Sequence, residues 1–210
     1  MSEVLGALDQ HHVQLLLRLI LGGLLVLAAI TKLTDRAAFQ AAVAEYQLLP
    51  HALERPFAAA LPAVELMLGA LLLAGLGTAI AAWVAVPVFL SFSIAIGVNM
   101  ARGRDLDCHC FGAVQSEPIG WPSLIRSSAL VIASLIVAFG ASAFGAVDAL
   151  LLNPDGLPPA SEIVPVVLLA FVIFDVIILL PEAIATQLSF DASYGGSGAG
   201  DRHLHHEGTS

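Results

Sequence analysis

Residues 57–100 read FAAALPAVELMLGALLLAGLGTAIAAWVAVPVFLSFSIAIGVNM, with Glu65 as the one ionisable side chain among them. The stretch divides at Gly75-Leu76-Gly77-Thr78, a short uncharged turn, into two apolar runs at about 57–76 and 79–100. At about 1.5 Å of rise per residue, each run is long enough for a hydrocarbon core roughly 30 Å thick. With no water there to satisfy the backbone, a helix that closes its own hydrogen bonds is the form such runs take. The stretch is a helical hairpin through a membrane.

The rest of the chain repeats the pattern. Further runs lie at about 13–30, closing at Thr31-Lys32, from Trp121 or Pro122 to 147, and at 163–180, closed by Pro181. Of the 210 residues, 58% are hydrophobic and 12% charged, and the mean hydropathy is +0.89. A soluble domain carries about 25% charged residues, so a water-soluble enzyme and a disordered chain are both excluded. The fold class is all-α, a polytopic membrane bundle with a four-span core at 13–147 and a fifth transmembrane helix. A polar segment, 1–12, precedes the core, and no leader with a basic start and a small-residue cleavage site is visible. A linker and the fifth span occupy 148–188, and a Gly/His-containing tail, expected to be disordered, fills 189–210. The net charge of −9 and the lack of a basic patch argue against nucleic-acid binding.

Two connections are longer than turns. In the first, Ala38, Phe39, Ala42, Val43, Tyr46 and Leu49 recur at helical spacing, which predicts an interfacial helix at about 36–49 ended by Pro50. The second, 101–120, carries both cysteines of the chain. By counting spans, the two connections share one membrane face, so the interfacial helix can cover the cysteine loop. Lys32, Arg36, Arg55, Arg102, Arg104 and Arg202 all fall on that face, with Arg126 in the first turn of span four. The positive-inside rule alone makes the face cytoplasmic; a redox role for the cysteines favours the outer side.

The densest chemical signal is Arg102-Gly-Arg-Asp-Leu-Asp-Cys108-His109-Cys110-Phe111-Gly112. Two thiols one residue apart can form a strained, labile disulfide, ligate a soft metal, or stay inert. Their place in a polar loop rather than inside a span favours the redox-active dithiol. His51 and His109 are weak candidates to complete a metal site, which lacks a second cysteine pair, and no metal is assigned. Arg102, Arg104 and His109 favour a thiolate, while Asp105 and Asp107 oppose it. Within the spans, Glu65 is a functional candidate because a carboxyl in hydrocarbon is costly; the alternative is a hydrogen-bonded structural acid. Arg126 is its expected charged partner. Arg18 and Asp175 are further intramembrane charges, and Asn99 is placed to orient the cysteine loop or to cap span three. Gly22, Gly23 and Gly69 permit close helix approach.

Six segments in order resemble one family. They are Ala28-Ala-Ile-Thr-Lys32-Leu-Thr-Asp35, Phe39-x-x-Ala-Val43-x-x-Tyr46-x-Leu-Leu-Pro50, Leu61-Pro-x-x-Glu65-Leu-x-x-Gly69, Asn99-x-x-Arg102-Gly103, Cys108-x-Cys110-Phe111-Gly112 and Ile119-Gly-Trp121-x-x-x-x-Arg126. Together they resemble the MauE branch of the DoxX/MauE redox-associated membrane proteins, named for methylamine utilisation, over about 13–147. The resemblance implies a small bundle in the bacterial cytoplasmic membrane that exchanges thiols and disulfides with a thioredoxin-like partner. Its role there is to support maturation of a disulfide-containing extracytoplasmic protein. It implies Cys108 and Cys110 as the dithiol and Phe111 and Gly112 as shapers of its loop. Lys32, Glu65, Asn99, Arg102 and Arg126 are implied as supporting positions; His109, where the family has glycine in CGCFG, and Trp121 join them. Electrons would pass between the partner and either quinone or another membrane carrier, and a quinone would rest on apolar walls near Trp121 and Tyr46. A non-catalytic subunit of a larger membrane complex and a soft-metal-binding protein are the rival readings.

Overall fold

The computed structural model describes residues 11–104, 106–108, 117–140 and 161–177. In chain order they form α1 (His11–Thr34), α2 (Arg36–Glu45), α3 (His51–Ala74), α4 (Thr78–Ala101), β1 (Asp107–Cys108), β2 (Glu117–Pro118) and α5 (Trp121–Phe139), followed by a helical segment at 161–177. Four of these, α1, α3, α4 and α5, are long and apolar enough to span a membrane. The protein is a polytopic helical membrane protein. The remainder of the fifth predicted span, the linker before it and the tail lie outside the described residues.

The exposed and buried faces are inverted relative to a soluble protein. Ile80, Ile94, Ile125, Ile132 and Phe139 are exposed, whereas Lys32, Glu65, Asn99 and Ser134 are buried. A bundle solvated by lipid tails has this distribution, because the apolar side chains already match their surroundings and the polar ones gain partners inside.

Helix α1 packs most extensively on α3, and α4 on α5; contacts between α3 and α4 and between α1 and α5 close the bundle. The α1–α3 seam is set by two glycines. A Cβ on Gly69 would lie 2.8 Å from the Gly22 carbonyl oxygen and 2.9 Å from the Val26 nitrogen, so the two backbones touch. Gly23, on another face of α1, accepts the Phe174 ring, where a Cβ would meet Cε2 at 3.2 Å. The α4–α5 seam is joined by hydroxyls instead: Ser93 Oγ and Ser127 Oγ lie 2.8 Å apart, and Ser127 Oγ also reaches the Phe89 carbonyl at 3.4 Å.

Two boundaries differ from the sequence expectation. Helix α3 starts at His51 rather than near Phe57, because Pro50 supplies an extended N-cap and Glu54 places an acid in the first turn, where the helix dipole favours it. His51 Nδ1 lies 2.9 Å from Glu54 Oε1 on that turn. Helix α2 stops at Glu45, about four residues early: Gln47 adopts a left-handed φ of 49°, and a residue before proline, here Leu49, is disfavoured as helix. Helix α5 closes at Phe139, with Gly140 donating its N–H to the Ile136 carbonyl; the rest of the expected fourth span, 141–147, lies outside the described residues.

Candidate functional site: a cysteine hairpin above a buried ion pair

Helix α4 ends in a left-handed turn at Gly103, φ 63°, which redirects the chain into the cysteine connection. Asn99, fully buried, is fastened to its own helix by Nδ2 donating to the Ala95 carbonyl at 3.0 Å. Its carbonyl accepts the Arg104 N–H at 3.2 Å, and its Oδ1 a longer contact from Arg104 Nη1 at 3.5 Å. The chain then enters an antiparallel ladder pairing Asp107 with Pro118 and Cys108 with Glu117. Ile119 N–H donates to the Leu106 carbonyl at 2.8 Å, closing the stem. The stem passes into α5 through Gly120, whose N–H donates to Ser123 Oγ at 3.0 Å.

The first cysteine thus sits on a hairpin fastened to two membrane helices. Asn99 hydrogen-bonds at the end of α4, where the chain leaves for the cysteine connection. Arg102 reaches the other connection, its Nη1 donating to the Gln47 carbonyl at 3.4 Å. The Cys108 side chain and the whole of His109, Cys110, Phe111 and Gly112 lie outside the described residues. Trp121 is 70% exposed at the start of α5.

Beneath the hairpin side of the bundle lies a buried ion pair. Lys32 Nζ is 2.5 Å from Glu65 Oε1, and both side chains are fully buried. The ammonium stands 5.3 Å from the Phe39 ring centroid and 4.9 Å from that of Phe92, within cation–π range. The partner expected for Glu65 was Arg126, and this is corrected: the partner is Lys32. The reason is the glycine seam. Val26 opposes Gly69, so Lys32 lies about 9 Å further along α1 and Glu65 about 6 Å back along α3 at roughly 1.5 Å per residue. The lysine stem, tilted toward its helix N-terminus, closes the difference. Arg126 instead shares with Glu65, Ser123 and Ser127 the wall of a small cavity of about 10 Å³. The Glu65 Oε2 atom has no hydrogen-bond partner among the described residues.

Helix α2 roofs the pair. Asp35 caps it by accepting the Ala38 N–H at 2.9 Å, and Phe39 and Ala42 point inward. Between α2, α3 and α4 an apolar groove of about 290 Å³ remains, walled by Phe39, Tyr46, Phe57, Leu61, Phe92 and Ala95, with Lys32 as its one cationic lining residue. Tyr46 therefore lines an apolar recess as expected, but Trp121 does not take part in it. Sequence reasoning missed Ser123 and Ser127. A Gly-x-x-Ser step before an apolar run was the available signal for Ser123.

Residues 10–140 match the family model described as methylamine utilisation protein MauE. Similar relatives include the methylamine utilization protein MauE of Methylophilus methylotrophus, 43% identical over 116 residues, or 54% of this chain and 61% of that one. That of Paracoccus denitrificans is 33% identical over 125 residues, 59% and 67% of the two chains. That of Methylorubrum extorquens is 34% identical over 137 residues, 65% and 74%. The match thus spans about three fifths to three quarters of these relatives. No solved structure matches. With the glycine seam, the Lys32–Glu65 pair and the cysteine hairpin all inside the matched region, the chain belongs to the MauE family.

Proposed function

We propose that this protein is a thiol/disulfide exchange component of the bacterial cytoplasmic membrane, with Cys108 and Cys110 as its dithiol. One thiolate attacks the disulfide of a thioredoxin-like partner, forming a mixed disulfide and releasing one partner thiolate. The second cysteine then attacks the mixed disulfide, leaving a Cys108–Cys110 disulfide and a reduced partner. The reverse sequence oxidises the partner. The names of the relatives connect the exchange to methylamine utilisation, where it would support maturation of a disulfide-containing extracytoplasmic protein.

The observation that carries the reading is the fastening of the hairpin stem. Asn99, the Leu106–Ile119 hydrogen bond and the Gly120–Ser123 cap hold a cysteine-bearing connection at the ends of two membrane helices, where a partner in the aqueous phase can reach it. An impermeant maleimide applied to intact cells tests it. Labelling that appears only after reduction places a disulfide on the outer face and supports exchange there. Absence of labelling until the cells are lysed defeats the extracytoplasmic assignment and favours a non-catalytic subunit of a larger membrane complex.

A further inference from the structure

The groove between α2, α3 and α4 has an unusual polar inventory for a lipid-solvated recess. Its walls are chiefly hydrocarbon and aromatic, Tyr46 and Ser91 contribute hydroxyl-bearing side chains, and Lys32 is its one cationic lining residue. The ammonium lies against Phe39 and Phe92, which are themselves groove walls. Of its three N–H donors, one serves Glu65 Oε1; no other hydrogen-bond acceptor for it occurs among the described residues.

The charge balance selects the occupant. The ammonium is already neutralised by the Glu65 carboxylate, so an anionic lipid headgroup meets no uncompensated positive charge. A neutral carbonyl oxygen on an apolar body needs a donor without net charge, and the pair supplies that. A volume of about 290 Å³ stands at the lower end of the roughly 300–1,000 Å³ of small-molecule sites, enough for a substituted ring with its chain running out of the open side. The Arg102–Gln47 contact ties the lead into the cysteine hairpin to the segment carrying Tyr46, Leu48 and Leu49, all groove residues.

We infer that this groove is a quinone site, with Lys32 donating a hydrogen bond to a quinone carbonyl. The assignment rests on the dithiol reading for its electron source. Oxidation of Cys108 and Cys110 breaks two S–H bonds and forms one S–S bond. The two electrons and two protons released convert the two quinone carbonyls to the two hydroxyls of a quinol. The chain has two cysteines, so no second thiol pair is present to take those electrons, and a lipid-soluble two-electron acceptor fills that place.

The test uses the full chain in lipid nanodiscs. An azido-ubiquinone photoprobe is applied to the Cys108→Ser/Cys110→Ser variant, with decylubiquinone or dioleoylphosphatidylglycerol as competitor. Expected are adducts on residues 39–49 and 91–95 that decylubiquinone abolishes and the phospholipid does not. Ala95→Phe, which fills the groove while leaving both members of the ion pair in place, should weaken labelling by about tenfold or more, a change equal to one decade in Kd. Equal competition by the phospholipid would make the groove a lipid seat and overturn the assignment, as would labelling unaffected by Ala95→Phe. Pre-reduced wild type should then form one quinol for each pair of thiols lost. Groove labelling without quinol formation upholds the site and removes the dithiol as its electron source.

Discussion

The two principal helix seams of this bundle are built by opposite means. Between α1 and α3 the backbones touch at Gly22 and Gly69, and the seam ends in a buried ion pair. Between α4 and α5 there is space at the glycine: a Cβ on Gly97 would meet only Leu124 Cδ1, at an ordinary 3.9 Å, and serine hydroxyls join the helices. The first seam is rigid and register-specific, because a buried ion pair tolerates one alignment. The second is joined by side-chain hydroxyls, and it is the one that leads into the cysteine hairpin. Division of labour follows: α1 and α3 form the frame, α4 and α5 hold the cysteine connection.

The comparison is broken most severely at the ion pair. Lys32→Met leaves the Glu65 carboxylate buried without its cation and should cost about 3–5 kcal/mol, read as lower thermal stability in detergent. The double variant Lys32→Met/Glu65→Leu should recover most of that loss. If the single and double variants were equally unstable, the pair would not be what sets the frame.

Gly69→Ala should destabilise by about 1–3 kcal/mol, since the added carbon overpacks a contact with backbone on one side. Gly97→Ala should be close to neutral or better, as helix propensity favours alanine by about 1 kcal/mol. Equal responses to the two substitutions in the same stability assay would erase the contrast between the seams.

Asn99→Leu should cost about 1 kcal/mol through its lost hydrogen bonds, and its larger effect should be on the hairpin. The rate of Cys108 alkylation in the reduced protein should change, while the same substitution at an exposed site should leave it alone. The smallest loss expected is that of Ser127→Ala, about 0.6 kcal/mol, the average for a hydrogen bond between membrane helices. A loss of several kcal/mol there would move the frame to α4 and α5.

Much of this architecture was legible in the chain. Long apolar runs identify spans because lipid permits little else, and glycines within them mark close approach. The interfacial helix was readable from the spacing of Phe39, Ala42, Val43 and Tyr46, although Gln47 and Pro50 cut it short. The partner of Glu65 was harder. Lys32 sits at the end of a span, where a lysine ordinarily snorkels into water, and nothing in its neighbourhood states that α2 will roof it over. Arg126 had equal charge and similar depth; the glycine contact that chose between them is a tertiary fact. The groove was invisible for the same reason, as its walls come from three elements. The cysteine pair, by contrast, is a sequence-level signal first, and the structure adds the stem that leads into it from Cys108.

An equilibrium redox titration of the purified protein, with the Cys108–Cys110 thiols counted by mass after alkylation across a graded thiol/disulfide buffer, bears most directly on the exchange function. A thiol exchange component should show a reversible two-electron transition at about −120 to −270 mV, the range of thiol exchange proteins. No disulfide at any potential, or a midpoint below about −300 mV as for structural disulfides, would contradict it.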